Sequence, residues 1–417
     1  MLAGLWLMSS GGALGATGQS DSAEPKVEDL PPSEPADAQQ VADPDAKQTG
    51  ATGRDYLGLL FESEDGRFRF NPWLRGQFRY SHPLQGDLLD SGQLSDPPGG
   101  EFELRRARLK IEGHVFSPML GFYYEHELSG DHPLLDLRLD LDPGDGLSAR
   151  IGQYKVLYNR ERIDSSGKQQ FVERSIATYS FTLDRQIGAT LAKRSLEGSA
   201  FDNSLMLGLF EGDGISPAAR GGAPMAVARW QWQFLGRELP FSQGDIKPRE
   251  EAAASLSFGA AGVRGPYTRF SSAGGGQLRG YAAGGDERYS LRQYLQEFAW
   301  QYRGYSIQQE YHLKLITDHE SAQSSELRGG YAQFGKAWRI DWQVLPFVWE
   351  LAVRLARVEW DKTLLDRTQR EYSLVGNVFF SGHDNKLSFE LSELELQETG
   401  QPGVEETRVQ LQWDISF

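Results

Sequence analysis

The sequence predicts an all-β fold, namely a sixteen-stranded antiparallel transmembrane β-barrel over residues 55–417 with a constriction loop folded into the lumen. Three observations predict this fold. The chain has no long apolar run, its polar and apolar residues alternate with a period of two, and long connections alternate with short ones. Together they separate a barrel from a helical membrane protein and from a soluble β-sandwich.

The composition is that of a polar protein, with 39% hydrophobic residues in a chain of 417. A membrane-spanning helix needs about 18 consecutive apolar residues, and no stretch of this sequence supplies them. Barrel strands carry their apolar residues at every second position, so a polar average is compatible with a barrel. The aromatic content of 12% also fits, because barrels place aromatic rings at the two membrane interfaces.

The clearest alternation lies in the C-terminal segment 408–417. Its apolar residues share one face, and they are Val409, Leu411, Trp413, Ile415 and Phe417. The residues between them are polar and share the other face. Alternation over this length is long for a soluble strand and sufficient for a strand that crosses a bilayer at a tilt.

Similar segments recur along the chain, and we predict sixteen strands. An even number is what a closed barrel with both chain ends on one side requires. The predicted strands are 67–80, 103–116, 119–128, 134–142, 147–155, 185–193, 204–212, 224–235, 251–259, 291–303, 305–315, 326–336, 347–361, 370–380, 386–397 and 405–417.

The connections between these strands give an independent test. The odd-numbered ones should be long loops and the even-numbered ones short turns. The first, third and fifth are long, namely 81–102, 156–184 and 260–290; the second, fourth, tenth and fourteenth are short, namely 117–118, 143–146, Gly304 and 381–385. The sixth, eighth and twelfth are longer than tight turns and are exceptions to the pattern.

The N-terminal part is predicted to lie outside the barrel. Residues 1–16 resemble a secretory signal peptide, in which a short apolar stretch precedes small residues that end at Ala16. The usual positively charged start is missing, so we expect the true start to lie upstream. Residues 17–54 are rich in Pro and acidic residues and predict a disordered acidic linker on the periplasmic side.

Charge and residue content exclude several classes of protein. The net charge of −15 argues against a nucleic-acid partner, and the absence of cysteine removes thiolate metal sites and cysteine nucleophiles. The seven histidines are scattered, and in the segment 125–127 the acids and His126 point to opposite faces of a strand. The glycines 274–276 are predicted as loop rather than as a phosphate cradle. We therefore expect no catalytic residue, no metal and no cofactor.

The polar strand face of a barrel turns towards the lumen. On the predicted first, second and eighth strands this face carries Arg75, Arg79, Arg106, Arg108, Lys110 and Arg229. The connection 156–184 is too apolar and too charged for an exposed loop, so we expect it to fold inward with Arg160, Arg162, Lys168 and Arg174. A row of cations lowers the cost of dehydrating an anion in a pore, and the planar arginine group suits oxyanions.

Acidic residues share the predicted lumen and leave a second interpretation open. The strands contribute Glu125, Glu127, Asp136, Asp140 and Glu297, and the connection 156–184 contributes Glu161, Asp164 and Glu173. A buried loop must neutralise its own charges, so the loop cations and acids could simply pair. Anion preference and a wall of mixed charge are both compatible with these residues.

Several segments resemble the phosphate-selective porin O and P family. They are FELRRARLKIEG at 102–113, IGQYK at 151–155, FVERS at 171–175, DRQIG at 184–188, GLFEGDG at 208–214 and EFAWQYRGY at 297–305. The resemblance implies a trimeric porin in the outer membrane of a Gram-negative bacterium, with a periplasmic N-terminus. It also implies a third loop that folds inward, with Lys155 beside it, and an arginine ladder that leads to a constriction.

The expected function is passive diffusion of small hydrophilic solutes, with a preference for phosphate or other oxyanions. The resemblance further implies contact with outer-membrane lipid and lipopolysaccharide, and recognition of the terminal Phe417 by the barrel-assembly machinery. Two alternatives are a general non-specific porin and a non-transport, β-rich binding protein of the cell envelope. The last of these would dissolve in buffer without detergent.

Overall fold

The protein is described by a computed structural model over residues 59–83, 99–129, 133–215, 223–340, 347–360 and 366–417. The predicted signal peptide (1–16) and linker (17–54) lie outside these residues and stay predictions. The strands are β1 (Phe61–Glu62), β2 (Arg69–His82), β3 (Glu101–Val115), β4 (Ser117–Glu127), β5 (Leu134–Leu141), β6 (Leu147–Lys155), β7 (Arg185–Ser195), β8 (Asn203–Phe210), β9 (Ala223–Trp232), β10 (Ala253–Gly265), β11 (Arg269–Ser271), β12 (Gly274–Gly276), β13 (Tyr289–Tyr302), β14 (Tyr305–Asp318), β15 (Gln323–Ile340), β16 (Phe347–Trp360), β17 (Arg367–Phe379), β18 (Asn385–Glu398) and β19 (Val404–Ser416).

Sixteen of these strands form a closed antiparallel barrel. The main sheet has seventeen strands, and one of them, β1, is a two-residue addition that pairs with β2. The ring closes because β19 pairs with β2 and because β10 pairs with both β9 and β13. The predicted barrel is therefore confirmed, strand for strand. The boundaries differ most where β10 runs to Gly265 instead of 259 and β15 to Ile340 instead of 336.

The two faces of the barrel differ as the alternation predicts. On β19, Leu411 and Trp413 are 42% and 44% exposed, whereas Gln412 and Asp414 between them are 1% and 0% exposed. A slip of one residue in register would exchange these two sets, so the alternation fixes how each strand pairs. The apolar face looks outward and the polar face looks into the barrel.

The two ends of the barrel are built differently. At the turn end, strands follow one another closely: Phe116 alone separates β3 from β4, and Arg303 and Gly304 join β13 to β14. Arg303 and Gly304 have positive φ angles, 48° and 82°, as the two central residues of a tight hairpin turn require. Glycine adopts positive φ without a steric cost, which explains its presence at position 304. The opposite end, the loop end, carries the longer connections 156–184 and 266–288.

Three of the longer connections contain ordered structure. The 156–184 segment holds the helices α1 (Arg160–Ile163) and α2 (Ile176–Phe181). The strands β11 and β12 form a small hairpin, so the prediction of loop at 274–276 is wrong in this respect. The turn-end connection 233–252 is also anchored, because Leu239 is buried against Ala253 and Ala299.

An apolar cluster lies near the loop end of the barrel. Its aromatic members include Phe181 from α2, Phe270 from the hairpin, and Tyr289 and Tyr331 from the wall. Burying this apolar surface holds α2 and the hairpin in place. No helix among the described residues is long and apolar enough to cross a membrane.

Candidate functional site

A cavity of about 280 Å³ lies on the polar side of the barrel wall and is strongly basic. Seven of its lining side chains are basic and one is acidic. The lining residues are Arg105, Arg106, Arg108, Glu127, Ser129, Leu135, Lys155, Arg162, Ser166, Arg174, Arg185, Ser272 and Ala273. We call this space the basic cavity.

Four structural elements supply the seven cations of the basic cavity. Arg106 and Arg108 project from β3 by ordinary alternation, and Lys155 ends β6. Arg162 and Arg174 come from the 156–184 segment, and Arg185 begins β7 directly after it. The hairpin β11–β12 adds its tip residues, Ser272 and Ala273.

Arg105 reaches the basic cavity through a β-bulge. Along the β2–β3 pair Gln77 lies opposite Arg106, and the next residue, Phe78, lies opposite Leu104. Arg105 is therefore the extra residue on β3. A bulge interrupts the alternation and re-aims a side chain, so two consecutive arginines line one cavity. Strict alternation gave no signal for this, and Arg105 is absent from the predicted set.

The 156–184 segment is held by carboxylates of the barrel wall. The backbone N–H groups of Arg160 and Ile176 donate to Glu297 of β13 at 3.0 Å and to Glu371 of β17 at 2.9 Å. The N–H of Val172 donates to Glu390 of β18 at 2.6 Å. Buried backbone donors need partners, and the wall acids supply them.

The same segment also contacts the strand that closes the barrel. Arg75 of β2 donates from Nη1 to the Ser166 hydroxyl at 3.0 Å. The connection 233–252 meets the segment from the turn end, where the N–H of Gln170 donates to Gln243 at 2.8 Å. Contacts thus join the segment to strands on widely separated parts of the ring.

Five of the eleven predicted pathway cations line the basic cavity: Arg106, Arg108, Lys155, Arg162 and Arg174. The other six do not line it, and they are Arg75, Arg79, Lys110, Arg160, Lys168 and Arg229. All six are buried. Arg185 joins Arg105 as a cavity residue that the sequence analysis did not select.

Long-range partners account for several of the six remaining cations. Nε and Nη2 of Arg75 donate to the two carboxylate oxygens of Asp414, each at 2.8 Å. Arg229 pairs with Glu297, and Arg160 donates to the carbonyl oxygen of Pro240. These side chains connect parts of the barrel to one another instead of facing the basic cavity.

Acids within and behind the lining neutralise part of the positive charge. Arg108 is 2.6 Å from Glu125 and 2.8 Å from Glu127. Arg162 pairs with Asp184 at 2.5 Å. Burial would raise the pKa of Asp184, but Arg162 and Arg185 hold that pKa below its usual value.

Arg174 differs from Arg108 and Arg162, which pair with carboxylates. It donates to the main-chain carbonyl oxygens of Glu161 at 2.9 Å and Asp164 at 2.7 Å. Among the described residues it forms no ion pair with a carboxylate. Burial, together with the nearby cation of Arg162, lowers the pKa of Arg174 to about 10. An anion beside this guanidinium would stabilise its charge.

The described residues contain no group of three His, Cys, Asp or Glu side chains placed to hold a metal ion. Glu125 is buried beside Arg108, whereas His126 bonds to the Tyr124 hydroxyl at 2.9 Å on the other face of β4. The segment 125–127 is therefore part of the wall.

A family model described as phosphate-selective porin O and P matches residues 80–412. A search of curated proteins finds no match. Solved structures show the same fold at low identity. The outer membrane channel DcaP of Acinetobacter baumannii is 10% identical, with a TM-score of 0.52 over 86% of this chain and 99% of that one.

Two further solved structures are similar. A trimer form of OmpT, an outer membrane protein of Vibrio cholerae, is 9% identical, with a TM-score of 0.51 over 84% of this chain and 99% of that one. An anion-selective porin from Comamonas acidovorans is 11% identical, with a TM-score of 0.51 over 84% of this chain and 100% of that one.

Proposed function

Because the chain belongs to the phosphate-selective porin O and P family, we propose that it conducts small anions passively and that the basic cavity is its selective segment. Family and fold support an outer-membrane porin and point to a channel rather than an enzyme. The preference for anions, phosphate and other oxyanions among them, is the finer part of the proposal.

The observation that carries the anion preference is the lining of the basic cavity, with seven cations against one acid. In a narrow aqueous space such a lining replaces part of an anion's hydration shell. Arginine offers two parallel donors to an oxyanion, which suits phosphate-like solutes. Acids such as Glu125 lie behind the cations and moderate the potential without lining the path.

We propose that the 156–184 segment forms the constriction within the lumen. Its buried position and its bonds to carboxylates of β13, β17 and β18 support this. Its contact with β2 through Arg75 and Ser166 also supports it, because a segment that touches strands so far apart around a closed ring fits the interior. The constriction narrows the path to the side lined by β3 and β6.

We propose that the turn end faces the periplasm and that the loop end faces outward. Two observations support this orientation. The first barrel strand, β2, starts at the turn end, and the last, β19, finishes there. The apolar C-terminal strand is also anchored at this end, since the N–H of Phe417 donates to the carbonyl of Leu74 at 2.9 Å, where the barrel-assembly machinery would recognise Phe417.

We propose a homotrimer in which other copies cover the face formed by β5–β9. The strands β5 and β8 have eight residues each, which gives about 26 Å of strand and, at a tilt near 45°, about 19 Å of height. That is less than the roughly 30 Å hydrocarbon core. An outward apolar hollow on this face is lined by residues such as Leu139, Ile151 and Leu207.

Overfilling this hollow tests the trimer. Leu139→Trp with Leu207→Trp is expected to shift the detergent-extracted protein from trimer to monomer in native mass spectrometry. The matched control is Leu351→Trp with Leu374→Trp, which changes exposed leucines of β16 and β17 on another wall. If the Leu139 and Leu207 variant stays as trimeric as the Leu351 and Leu374 control, the proposed interface is wrong.

Planar-bilayer recording under a salt gradient tests the anion preference. The wild-type protein is expected to give an anion-selective reversal potential, with phosphate carrying current beside chloride. Arg162→Gln with Arg174→Gln should lower the anion-to-cation permeability ratio about threefold per charge. A unit charge about 7 Å from an ion contributes about 0.3 kcal/mol after screening by salt, and the contribution has opposite signs for an anion and a cation.

The control for this experiment is Lys193→Gln with Arg237→Gln, which removes two exposed cations outside the basic cavity. Its permeability ratio should equal that of the wild type. A cation-selective wild type would overturn the anion preference. Equal permeability of both ions, unchanged by either pair, would instead support a general non-specific porin.

A further inference from the structure

Three arginines stand on the outward, membrane-facing side of neighbouring strands. They are Arg328 of β15, Arg357 of β16 and Arg370 of β17, whose side chains are 56%, 57% and 30% exposed. The side chains next to them along each strand, including Leu327 and Val358, are buried. The alternation therefore places the three guanidinium groups on the lipid side and not in the lumen.

The register brings two of these arginines directly opposite each other. Arg357 is the cross-strand partner of Arg370, and on its other side it faces Gly330. Arg328 precedes Gly330 by two residues and so lies diagonally next to Arg357. Like charges at opposed positions repel each other. An anion held between them would remove this cost.

Acidic partners lie beside the arginines but leave donors available. Arg328 pairs with Glu326 and Arg357 with Glu359, and each acid lies two residues nearer the loop end on the same strand. Arg370 pairs with Glu395 of β18 at 2.8 Å. A guanidinium has five N–H donors, so one carboxylate does not saturate it. A group that approaches along the barrel from the membrane core towards the loop end meets the arginines before it meets Glu326 and Glu359.

A groove of about 420 Å³ runs beside the arginines on the same face. Gly330 has no side chain and forms the floor of the groove, and Tyr311, Leu355 and Tyr372 border the groove. Tyr311 is the cross-strand partner of Gly330, and Leu355 that of Tyr372. The wall thus offers an apolar groove directly beneath a cluster of cations, as seen from the loop end.

The position along the barrel matches the level of lipid headgroups. The strands β14–β17 have 13 to 18 residues, and fourteen residues at a tilt near 45° span about 33 Å, more than the roughly 30 Å hydrocarbon core. Arg357 and Arg370 lie three residues from the loop ends of their strands. Their guanidinium groups therefore reach the polar edge of the leaflet at the loop end.

We propose that Arg328, Arg357 and Arg370 bind the phosphorylated headgroup of a lipid of the leaflet at the loop end, with an acyl chain in the groove at Gly330. Charge complementarity identifies the headgroup, since arginine forms paired hydrogen bonds with phosphate oxygens. The adjoining apolar groove identifies a lipid rather than free phosphate as the occupant. The site lies outside the lumen and does not depend on the selectivity of the channel.

Native mass spectrometry of the full chain in detergent tests the site, with diphosphorylated lipid A as the probe. Arg357→Gln with Arg370→Gln is expected to weaken lipid A binding about tenfold, because it removes two charge-assisted contacts. The control, Arg237→Gln with Arg264→Gln, removes two exposed, ion-paired arginines elsewhere and should bind like the wild type. Dephosphorylated lipid A should bind the wild type as weakly as diphosphorylated lipid A binds the Arg357 and Arg370 variant.

Equal binding of lipid A by the two double variants would overturn the proposal, as would equal binding of the phosphorylated and dephosphorylated lipids by the wild type. Excess inorganic phosphate should leave the lipid A complex intact, whereas displacement by phosphate would show a simple anion site and overturn the lipid assignment. Conductance of the Arg357 and Arg370 variant should equal that of the wild type. Unchanged conductance shows that the variant barrel is folded. A failure of the lipid proposal can therefore be distinguished from a failure of the proposed channel function.

Discussion

Arg79 of β2 and Glu173 of the 156–184 segment form an ion pair in which Nη1 and Oε1 are 2.8 Å apart, although 94 residues separate them in sequence. The same carboxylate lies 3.2 Å from both Arg105 and Arg106 of β3. One acid therefore ties the segment to two wall strands and neutralises part of the lining of the basic cavity.

Replacing this acid should strengthen the anion preference. In Glu173→Gln the cations Arg105 and Arg106 lose their common counter-charge, so the anion-to-cation permeability ratio is expected to rise about threefold. Reversal potentials under a salt gradient measure the ratio. The control is Glu251→Gln, an exposed acid paired with Arg237 away from the cavity. A ratio that falls in Glu173→Gln would show that the carboxylate organises the path rather than opposing anions.

The pH dependence of selectivity follows from the same carboxylate. Burial would raise the pKa of Glu173, but Arg106, Arg79 and Arg105 hold it well below its usual value. A depressed pKa keeps the group charged down through the ordinary glutamate range near 4.3, and its contribution to stability is lost only as the pH falls through the folded-state value.

The contribution of Glu173 to the permeability ratio should therefore stay constant from pH 7 down through the ordinary glutamate range near pH 4.3. The ratio should rise only at pH values well below that range, when the carboxyl takes up a proton. Recording the wild type and Glu173→Gln across this range isolates the contribution, because the variant cannot titrate at this position. A rise in the wild type already between pH 6 and pH 5, absent from the variant, would contradict the depressed pKa.

Arg174 and Arg108 both line the basic cavity but differ in their partners. Arg108 pairs with Glu125 and Glu127, whereas Arg174 donates to main-chain carbonyl groups. We expect Arg174→Gln to lower the anion permeability ratio about threefold. Removal of a whole ion pair, Arg108→Gln with Glu127→Gln, should lower it less, because the two charges of a pair partly cancel at the distance of the ion. Each variant serves as the other's control in the same bilayer recordings. Equal effects would mean that ion pairing behind the wall does not shape the potential in the cavity.

Local alternation was enough to predict the barrel, and it also predicted which side chains turn inward. It could not predict which inward cations meet the basic cavity, because that depends on distant partners. Arg75 is occupied by Asp414, 339 positions further along the chain. Arg105 is a separate case, since the bulge opposite Gln77 and Phe78 breaks the period that the prediction relied on.

The ordered connections also escaped sequence analysis for a physical reason. The hairpin β11–β12 and the connection 233–252 are held by scattered buried contacts, such as those of Phe270 and Leu239, and not by a repeating pattern. The 156–184 segment was recognisable because its apolar and charged residues are too dense for an exposed loop. Its bonds to Glu297, Glu371 and Glu390 depend on strands that come much later in the chain.

The pair Arg75–Asp414 should act on stability and not on selectivity. It joins β2 to β19 at the barrel seam, and both side chains are buried, 4% and 0% exposed. Asp414→Asn leaves a buried guanidinium without its counter-charge, which costs about 3–5 kcal/mol. The temperature at which the folded band converts to the unfolded band on detergent gels should therefore fall, while the reversal potential stays at the wild-type value.

A loss of stability in Asp414→Asn could come from the unpaired buried charge or from the loss of a stabilising ion pair. The double variant Arg75→Leu with Asp414→Leu separates these two explanations. Removing both charges eliminates the unpaired ion, and well-packed apolar replacements of a buried pair are often neutral. We therefore expect the double variant to convert at a temperature closer to the wild type than Asp414→Asn does. If the double variant is instead less stable than Asp414→Asn, the bidentate pair itself stabilises the seam. Its two hydrogen bonds would then contribute more free energy than the desolvation of the two charges costs.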